Sequence, residues 1–224
     1  MDFLKNRGIL NIDWNDITKY TEEDITFFLF LEGKSIESIC KIRKLDKEIV
    51  QKHVLDGKIK YGILAKSRNI KELFESICKS GKQDKIEALK GLEEENKIKL
   101  IQFIRENYGS MVTKEKENAI WILGEIAHKE VIDILTKASV HKHVNVRRMA
   151  VSAVGKIKDK GMEALLIRCL EDENPQVVMY SIKALGKIKS KSSKSKVKQI
   201  VHKWDKDYIK RVAEQYFNEI EEVD

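Results

Sequence analysis

The sequence predicts an all-α protein in which a small trihelical domain precedes a solenoid of stacked helix pairs. Three observations predict this class. The 224 residues include one proline, and 35% of them are charged; the many lysines, glutamates and leucines lose little rotamer freedom in a helix. A motif recurs every 31 residues in the C-terminal half. The first 70 residues lack that period but carry capping signals for three helices.

Residues 1–70 are expected to form the trihelical domain. Thr21 can cap a helix over "EEDITFFLFLEG", and Ser35 can cap a second helix over "IESICKIRK". After a tight turn around Lys44, Asp46 can cap a third helix over "KEIVQKHVLDGKIKYGI". The apolar residues expected to form a small core are Ile36, Ile39, Cys40, Leu45, Ile49, Val50 and Val54.

The repeated motif is aligned by its glycines. Gly124, Gly155 and Gly186 are each 31 residues apart, and a fourth copy fits if one residue is inserted, with Asn218 at the glycine position. A period of this length indicates stacked supersecondary units. The copies read "ENAIWILGEI" (117–126), "RMAVSAVGKI" (148–157), "MYSIKALGKI" (179–188) and "RVAEQYFNEI" (211–220).

Each repeat unit is too long for one helix and suits two. Apolar residues over 146–157 fall on one face of a helix, and small residues recurring in register allow neighbouring helices to approach closely. The glycine lies near the helix C-terminus, where it weakens the helix least. Asn174-Pro175 marks the start of one second helix. Partner helices are predicted at 129–138, 161–170 and 195–204, with an earlier pair at 83–92 and 97–106, within an array domain of residues 71–224.

The stretches "DENPQVVMYSIKALGKI" and "HVNVRRMAVSAVGKI" resemble HEAT repeats of the short variety also found in bilin-lyase-like proteins, over about residues 82–222. The resemblance implies a HEAT-type α-solenoid that binds a protein partner, because such arrays are mostly interaction surfaces. The chain departs from the pattern at Val178, where arginine is expected, and at Phe217-Asn218 in the last copy. The arginine that is present, Arg147, is expected to brace the loop between repeats.

The resemblance also places the second helices on the concave side of the array. Positions off their core faces hold an aromatic residue and several cations, which predicts a groove for a phosphate backbone or an acidic peptide. In the alternative interpretation, Trp121 packs in the core and the basic groups are simply solvated. The predicted groove residues are Trp121, Arg148, Met179, Lys183 and Arg211.

A lysine-rich run follows the third glycine. Eight lysines and no acid occur from Lys183 to Lys203, and the segment "GKIKSKSSKSKVK" (186–198) bridges two predicted helices. Such a loop is usually solvated. The alternative is a loop that contacts phosphates, because each lysine adds salt-sensitive affinity through counterion release.

The segment "EGKSIESICKIRKLDKEIVQKHV" (32–54) resembles helix-turn-helix segments found near helicase C-termini and in related regulators. Lys44 replaces the usual turn glycine, which costs strain if its φ is positive, and Glu48 replaces a residue that normally faces DNA. The resemblance implies that the third helix reads DNA. Its implied contacts are Lys47, Gln51, Lys52 and His53 with the bases and Lys34, Lys44 and Lys58 with phosphates.

Other chemistry is not indicated. The three cysteines are far apart and form no C-x-x-C pair, which favours reduced thiols in a cytosolic protein. No phosphate-binding glycine loop, nucleophile elbow or zinc-protease motif occurs, and the pair His141 and His143 lacks further ligands. We therefore expect no catalytic residue, metal, cofactor or small-molecule substrate. We also expect a cytoplasmic protein without membrane contact, since no apolar stretch reaches about 18 residues.

The net charge of +7 and pI near 9.1 permit contact with nucleic acid but do not require it. The preferred interpretation is a non-enzymatic binding protein, possibly regulatory, whose N-terminal domain contacts DNA while the array holds a macromolecular partner. The first alternative is a pure protein-interaction scaffold with no nucleic-acid binding. The second is an enzyme acting on nucleic acid, for which no residue can be named.

Overall fold

The computed structural model describes residues 9, 10 and 12–221. This part of the chain forms thirteen α-helices and three short 3₁₀ helices, and it contains no strand. The all-α class is therefore confirmed. Backbone contacts divide the chain into an N-terminal unit, Met1–Phe103, and a C-terminal unit, Ile104–Asp224. This division falls later than the domain boundary predicted at residue 70.

The N-terminal unit begins with the three helices expected from the capping signals. Thr21 accepts a hydrogen bond from the backbone of Asp24, whose side chain in turn accepts one from the Thr21 backbone, and Ser35 caps the second helix. Asp46 occupies the N-cap of the third but makes no capping hydrogen bond. The helices are α1 (Glu22–Leu31), α2 (Ile36–Arg43), α3 (Lys47–Lys66), α4 (Ile70–Lys79), α5 (Lys82–Lys90) and α6 (Glu94–Asn107), and a 3₁₀ helix at Ile17–Lys19 precedes them.

Helices α1 and α3 approach closely at Gly57. A Cβ atom added to Gly57 would lie 2.2 Å from Cγ of Phe27, a side chain with no exposed surface. The ring of Tyr61, one turn further along α3, stacks on Phe27 with 5.4 Å between ring centroids. The absence of a side chain at Gly57 is thus what lets the Phe27 ring lie against the α3 backbone.

A buried carboxylate also joins α1 to α3. Asp24 accepts hydrogen bonds from Lys60 Nζ at 2.7 and 2.9 Å and from the Tyr61 hydroxyl at 2.8 Å. Burial raises the pKa of the Asp24 carboxyl, but the hydrogen bonds from Lys60 and Tyr61 outweigh it, and the pKa lies below its ordinary value. The carboxylate is therefore stabilised in its charged form.

The predicted trihelical core is correct for most of its residues. Ile39, Val50 and Val54 are buried, whereas Ile49 is 41% exposed and does not belong to the core. Adjacent positions on a helix are about 100° apart, so the side chain of Ile49 points well away from that of Val50. The remaining predicted core residues, Ile36, Cys40 and Leu45, are half-buried.

The C-terminal unit contains the repeat. Asn174 caps one of its helices with Pro175 in the first turn, as predicted. The shorter helices that alternate with the motif-bearing ones begin in two cases with a 3₁₀ turn, Lys129–Val131 and Lys160–Met162. The helices are α7 (Thr113–Ile126), α8 (Ile132–Ala138), α9 (Val144–Ile157), α10 (Glu163–Cys169), α11 (Pro175–Lys187), α12 (Lys194–Lys203) and α13 (Asp207–Glu221). We call α7, α9, α11 and α13 the second helices.

Each second helix packs against the next, in the order α7, α9, α11, α13. The repeated glycine lies at each of these contacts. A Cβ atom added to Gly124 would lie 2.8 Å from Cβ of Ala153, and one added to Gly155 would lie 3.0 Å from Cβ of Ala184. The glycine and the small residue of the next copy therefore allow close packing at a constant spacing.

The left-handed residue that ends each repeat helix is not the glycine. Ala127, Lys158 and Lys189 have φ values of 56°, 56° and 55°, and each lies three residues after a repeat glycine. A side chain in this conformation is strained, because Cβ approaches the following carbonyl oxygen. The glycines are thus explained by packing between helices, and the array tolerates strain at the residues that end them.

Candidate partner-binding face

The five predicted groove residues lie on all four second helices. Trp121 is on α7, Arg148 on α9, Met179 and Lys183 on α11, and Arg211 on α13. Lys183 and Arg211 are exposed and the other three side chains are half-buried. We call the sides of the second helices that carry these residues the second-helix face.

Contacts between cations and aromatic rings join successive helices on this face. Lys156 Nζ lies 5.9 Å from the centroid of the Trp121 ring and 2.5 Å from Oε1 of Glu125. The Arg148 guanidinium lies 5.8 Å from the Tyr180 ring centroid. Such contacts each contribute about 0.5–1 kcal/mol at exposed sites. Sequence reasoning found Trp121 and Arg148 but missed their partners, although Lys156 follows the repeat glycine directly and that position was already in register.

A cleft of about 210 Å³ opens between α9 and α11 on the second-helix face. Its apolar surface comes from small or branched residues, and its polar surface comes mainly from three lysines. Lys183 and Lys187 make no ion pair with any residue between 12 and 221, whereas Lys156 is paired with Glu125. The lining residues are Val151, Ser152, Gly155, Lys156, Tyr180, Lys183, Ala184 and Lys187.

The positive charges in the cleft act on one another. Burial lowers the pKa of Lys187 below its ordinary value, and the positive charges of Lys183, Lys158 and Lys156 lower it further, whereas Glu219 acts in the opposite direction. An ammonium group with a lowered pKa lies in a positive local potential. An anion entering the cleft would therefore be attracted to it.

Positive charge on this row of the face is limited to the two central helices. The residue after the repeat glycine is lysine in the second and third copies, Lys156 and Lys187. In the first copy the same position holds Glu125, and in the fourth it holds Glu219. The cleft is thus a local basic site bordered by acidic residues in this row.

Arg147 has the bracing role that the resemblance implies. Its guanidinium donates to both carboxylate oxygens of Asp172, at 2.7 and 2.9 Å, and to the carbonyl oxygens of His141 and Lys142, at 3.0 and 3.2 Å. Arg147 is only 8% exposed. It therefore ties together the loops that precede α9 and α11 and is not available to a partner.

The lysine-rich loop after α11 is ordered by hydroxyl groups. Tyr216 donates to the carbonyl oxygen of Ser190 at 2.6 Å and lies 2.9 Å from the hydroxyl of Ser193, and all three residues are buried. Two lysines of the run form ion pairs, Lys194 with Glu221 and Lys196 with Glu171. Part of the run thus contributes to contacts within the C-terminal unit.

Six of the seven residues implied to contact DNA are exposed around α2 and α3. Lys44 has a φ of 54°, so the strain anticipated for a side chain at the turn is present. Lys47 lies 3.9 Å from Glu37, and Lys58 lies 4.9 Å from the Phe30 ring centroid. The six exposed residues are Lys34, Lys44, Lys47, Gln51, Lys52 and Lys58.

His53 is placed differently from its expected role. Its Nδ1 lies 3.3 Å from Oγ1 of Thr26 and its Nε2 lies 3.9 Å from Oε1 of Glu23. Its side chain is 12% exposed. The ring is therefore directed at α1, because this side of α3 also carries the buried Val50, and His53 does not lie with the exposed lysines.

Aliphatic side chains also lie on the exposed surface of α2 and α3. Ile42, Leu55 and Ile59 are 55%, 58% and 71% exposed, in addition to Ile49. Protein–DNA interfaces are more polar and more positively charged than protein–protein interfaces. The mixture of lysines and aliphatic residues is thus compatible with either kind of partner.

Groups that could bind a metal or react as nucleophiles are sparse in the described residues. His141 and His143 stack with 5.3 Å between their ring centroids, and no cluster of three or more histidine, cysteine, aspartate or glutamate residues suited to a metal occurs there. Burial raises the pKa of the Cys169 thiol to about 11. No helix within the described ranges combines the length and apolar character needed to cross a bilayer.

Comparison with known families identifies the repeat. A family model described as HEAT repeats matches residues 99–165 and again residues 141–218. The two matches overlap and together cover residues 99–218, more than half of the chain. They include every second helix of the face described above. No curated protein matches the chain.

Proposed function

The chain belongs to the HEAT-repeat family, and from this premise we propose that it is a non-enzymatic scaffold that holds a protein partner on the second-helix face. HEAT arrays commonly mediate protein–protein interactions through the surface that successive repeats build together. The observation that carries the proposal is the basic cleft between α9 and α11, flanked by the Trp121–Lys156 and Arg148–Tyr180 contacts. Aromatic residues and arginine are enriched at protein interfaces.

The charge of this face indicates the character of the partner. Lys183, Lys187 and Arg211 are exposed, and none of the three pairs with an acid of the described chain. A partner segment that carries negative charge would supply those missing partners and would associate faster at low ionic strength. We therefore expect an acidic segment of a protein to occupy the second-helix face.

Affinity capture with the full chain as bait tests this proposal. The face variant is Lys183→Glu/Arg211→Glu, and the matched control, Lys198→Glu/Lys206→Glu, makes the same charge change at exposed residues off the face. A protein bound by the wild type and the control but lost with the face variant supports the scaffold. Partners retained equally by both variants would place the interaction elsewhere and contradict the proposal.

A second candidate function is DNA contact by the N-terminal unit. The observation that favours it is the set of six exposed residues around the turn between α2 and α3, including Lys47 and Lys52. Lysines that contact phosphates give affinity that falls steeply with salt concentration. This function would add to the scaffold and does not replace it.

Fluorescence anisotropy of a labelled duplex of about 25 base pairs tests the second candidate, because a site of this length exceeds two helical turns. We expect the full chain to bind with a steep salt dependence and Lys47→Glu/Lys52→Glu to bind much more weakly. The matched control is Lys82→Glu/Lys90→Glu, at exposed residues of α5. Equal loss in both variants would indicate only a general effect of net charge and would argue against a specific surface.

A further inference from the structure

The cleft between α9 and α11 is a small anion site. Lys156 comes from α9, and Lys183 and Lys187 come from α11, so the three amines reach the cleft from both of its sides. Ser152 and Tyr180 add hydroxyl groups to the lining. These groups donate hydrogen bonds from different directions, which suits a tetrahedral anion better than a planar one.

The space for an anion arises from the repeat itself. Gly155 has no side chain and Ala184 has only a methyl group, so the surface between the two helices is left open where they pack most closely. Water occupies about 30 Å³ per molecule in the liquid, so a cleft of about 210 Å³ has room for about seven waters. A phosphoryl group, with five heavy atoms, fits in this space and leaves room for bridging waters.

The number of unpaired charges indicates the charge of the ligand. Lys156 is neutralised by Glu125 at 2.5 Å, which leaves Lys183 and Lys187 as the two uncompensated cations of the cleft. A phosphomonoester carries about −1.5 to −2 at pH 7, whereas a carboxylate or a phosphodiester carries a single charge. Two uncompensated ammonium groups therefore match one phosphomonoester.

The surroundings disfavour a long polyanion. A nucleic-acid strand needs a groove of cations that follows its backbone over several nucleotides. Here Glu125 and Glu219 occupy the positions next in line on either side of Lys156 and Lys187. A strand running along this row of the face would place phosphates beside these carboxylates, whereas a single anion avoids them.

We infer that this cleft binds a phosphorylated serine or threonine of the partner segment, an inference that rests on the proposed scaffold function for the source of the ligand. The two amines of Lys183 and Lys187 pair with the phosphoryl oxygens, and Ser152 donates a further hydrogen bond. Arg148, stacked on Tyr180 beside the cleft, lies where the flanking peptide would run. Phosphorylation of the partner thus regulates its binding to the array.

The test uses NMR titration of the full chain with a short Gly-Ser peptide carrying one phosphoserine. The comparison probes are the same peptide with serine or glutamate at that position, inorganic phosphate, and a single-stranded oligothymidine. We expect the phosphopeptide to shift the amide signals of Gly155, Lys183 and Lys187 with saturation at about millimolar concentration. The serine peptide should give no saturable shift and the glutamate peptide a weaker one.

Variants make the site assignment specific. Lys183→Gln/Lys187→Gln should weaken phosphopeptide binding by at least about tenfold, because hydrogen bonds to a charged group are lost. The matched control, Lys198→Gln/Lys206→Gln, removes the same charge from exposed residues and should bind as the wild type does. Equal weakening in both variants would overturn the inference, since general attraction by the net positive charge would then explain the binding.

The remaining outcomes are equally decisive. Binding of oligothymidine without the phosphopeptide would overturn the inference in favour of nucleic acid. Binding of inorganic phosphate without the phosphopeptide would overturn the assignment to a partner side chain. A captured partner that is lost with the face variant but unaffected by phosphatase treatment would overturn this inference while leaving the scaffold function in place.

Discussion

In the N-terminal unit one glycine lets two helices meet, whereas in the C-terminal unit the same kind of contact recurs along the array. Gly57 admits the ring of Phe27, and Gly124 and Gly155 admit Ala153 and Ala184. The single contact is reinforced by devices of its own, the Asp24 hydrogen bonds and the stacked Tyr61 ring. A repeated contact leaves a period in the sequence, and a single one leaves no such signal.

The comparison is broken most severely by removing the brace between repeats. Arg147→Met deletes the paired hydrogen bonds to Asp172 and leaves this carboxylate, which is 8% exposed, without its cation. Breaking a buried ion pair on one side typically costs about 3–5 kcal/mol. Chemical denaturation should show this loss, and hydrogen exchange should place it in the loops before α9 and α11.

The control for the brace is Lys194→Met. It breaks the exposed pair with Glu221, which should change stability by at most about 1 kcal/mol. If Arg147→Met were no more destabilising than this control, the brace would contribute nothing beyond a surface ion pair.

Gly57→Ala tests the single contact of the N-terminal unit. The new methyl group would lie 2.2 Å from the ring of the fully buried Phe27, so helix or ring must move. Overpacking of this kind costs about 1–3 kcal/mol. Thermal denaturation should show the loss, with hydrogen-exchange protection reduced in α1 and α3.

Gly109→Ala is the matched control for Gly57. No atom lies within 4 Å of its added Cβ and its φ is not positive, so the change should be neutral or stabilising by up to about 1 kcal/mol. Equal behaviour of the two variants would mean that Phe27 adapts without cost and that Gly57 is not required.

Asp24→Asn tests the buried carboxylate of the N-terminal unit. We expect a loss of about 1–3 kcal/mol at neutral pH, since hydrogen bonds to a charged acceptor are weakened. The folded-state pKa of Asp24 lies below its ordinary value of 3.8. Its contribution is therefore present above pH 3.8 and is lost as the pH falls through the lowered value.

The measurement is the difference in melting temperature between wild type and Asp24→Asn from pH 7 to pH 3. The difference should be largest near neutral pH and should shrink below about pH 4, where the wild-type carboxylate becomes protonated. A difference that stays constant over this range would show that the charge of Asp24 does not contribute.

The smallest expected effect has the opposite sign. Ala127→Gly places glycine at a left-handed position that ends α7, where alanine has a φ of 56°. Relief of this strain should stabilise the C-terminal unit by about 0.5–1 kcal/mol, after the greater chain entropy of glycine is subtracted. Ala119→Gly, within α7, should instead destabilise the unit, and urea denaturation of both variants distinguishes strain from a general glycine effect.

The sequence allowed more of the C-terminal unit than of the N-terminal unit to be predicted. The 31-residue period located all four second helices, and Asn174 and Pro175 located the start of one of them. Helix α4 went unpredicted, because Asn69 caps it directly after the end of α3 with no glycine or proline to mark the boundary.

The candidate site could be predicted only in part. Spacing placed Trp121 and Lys183 off the core face, but which rings and cations meet depends on the offset between neighbouring helices, and this offset placed Trp121 beside Lys156. The inward orientation of His53 depends likewise on where α1 crosses α3. Helical periodicity gives the face on which a residue lies and not the side chain that it meets there.

The constant spacing of the glycine contacts makes the array extensible. A second copy of residues 146–176, inserted after residue 176, would place its Ala153 against the original Gly155 and its own Gly155 against Ala184. It would also bring its own Arg147 and Asp172, so the added unit would be braced. An insertion of any other length would put bulky residues at these contacts. The length of this array can therefore change in steps of one repeat, which is how such a chain could lengthen by duplication without redesign of its core.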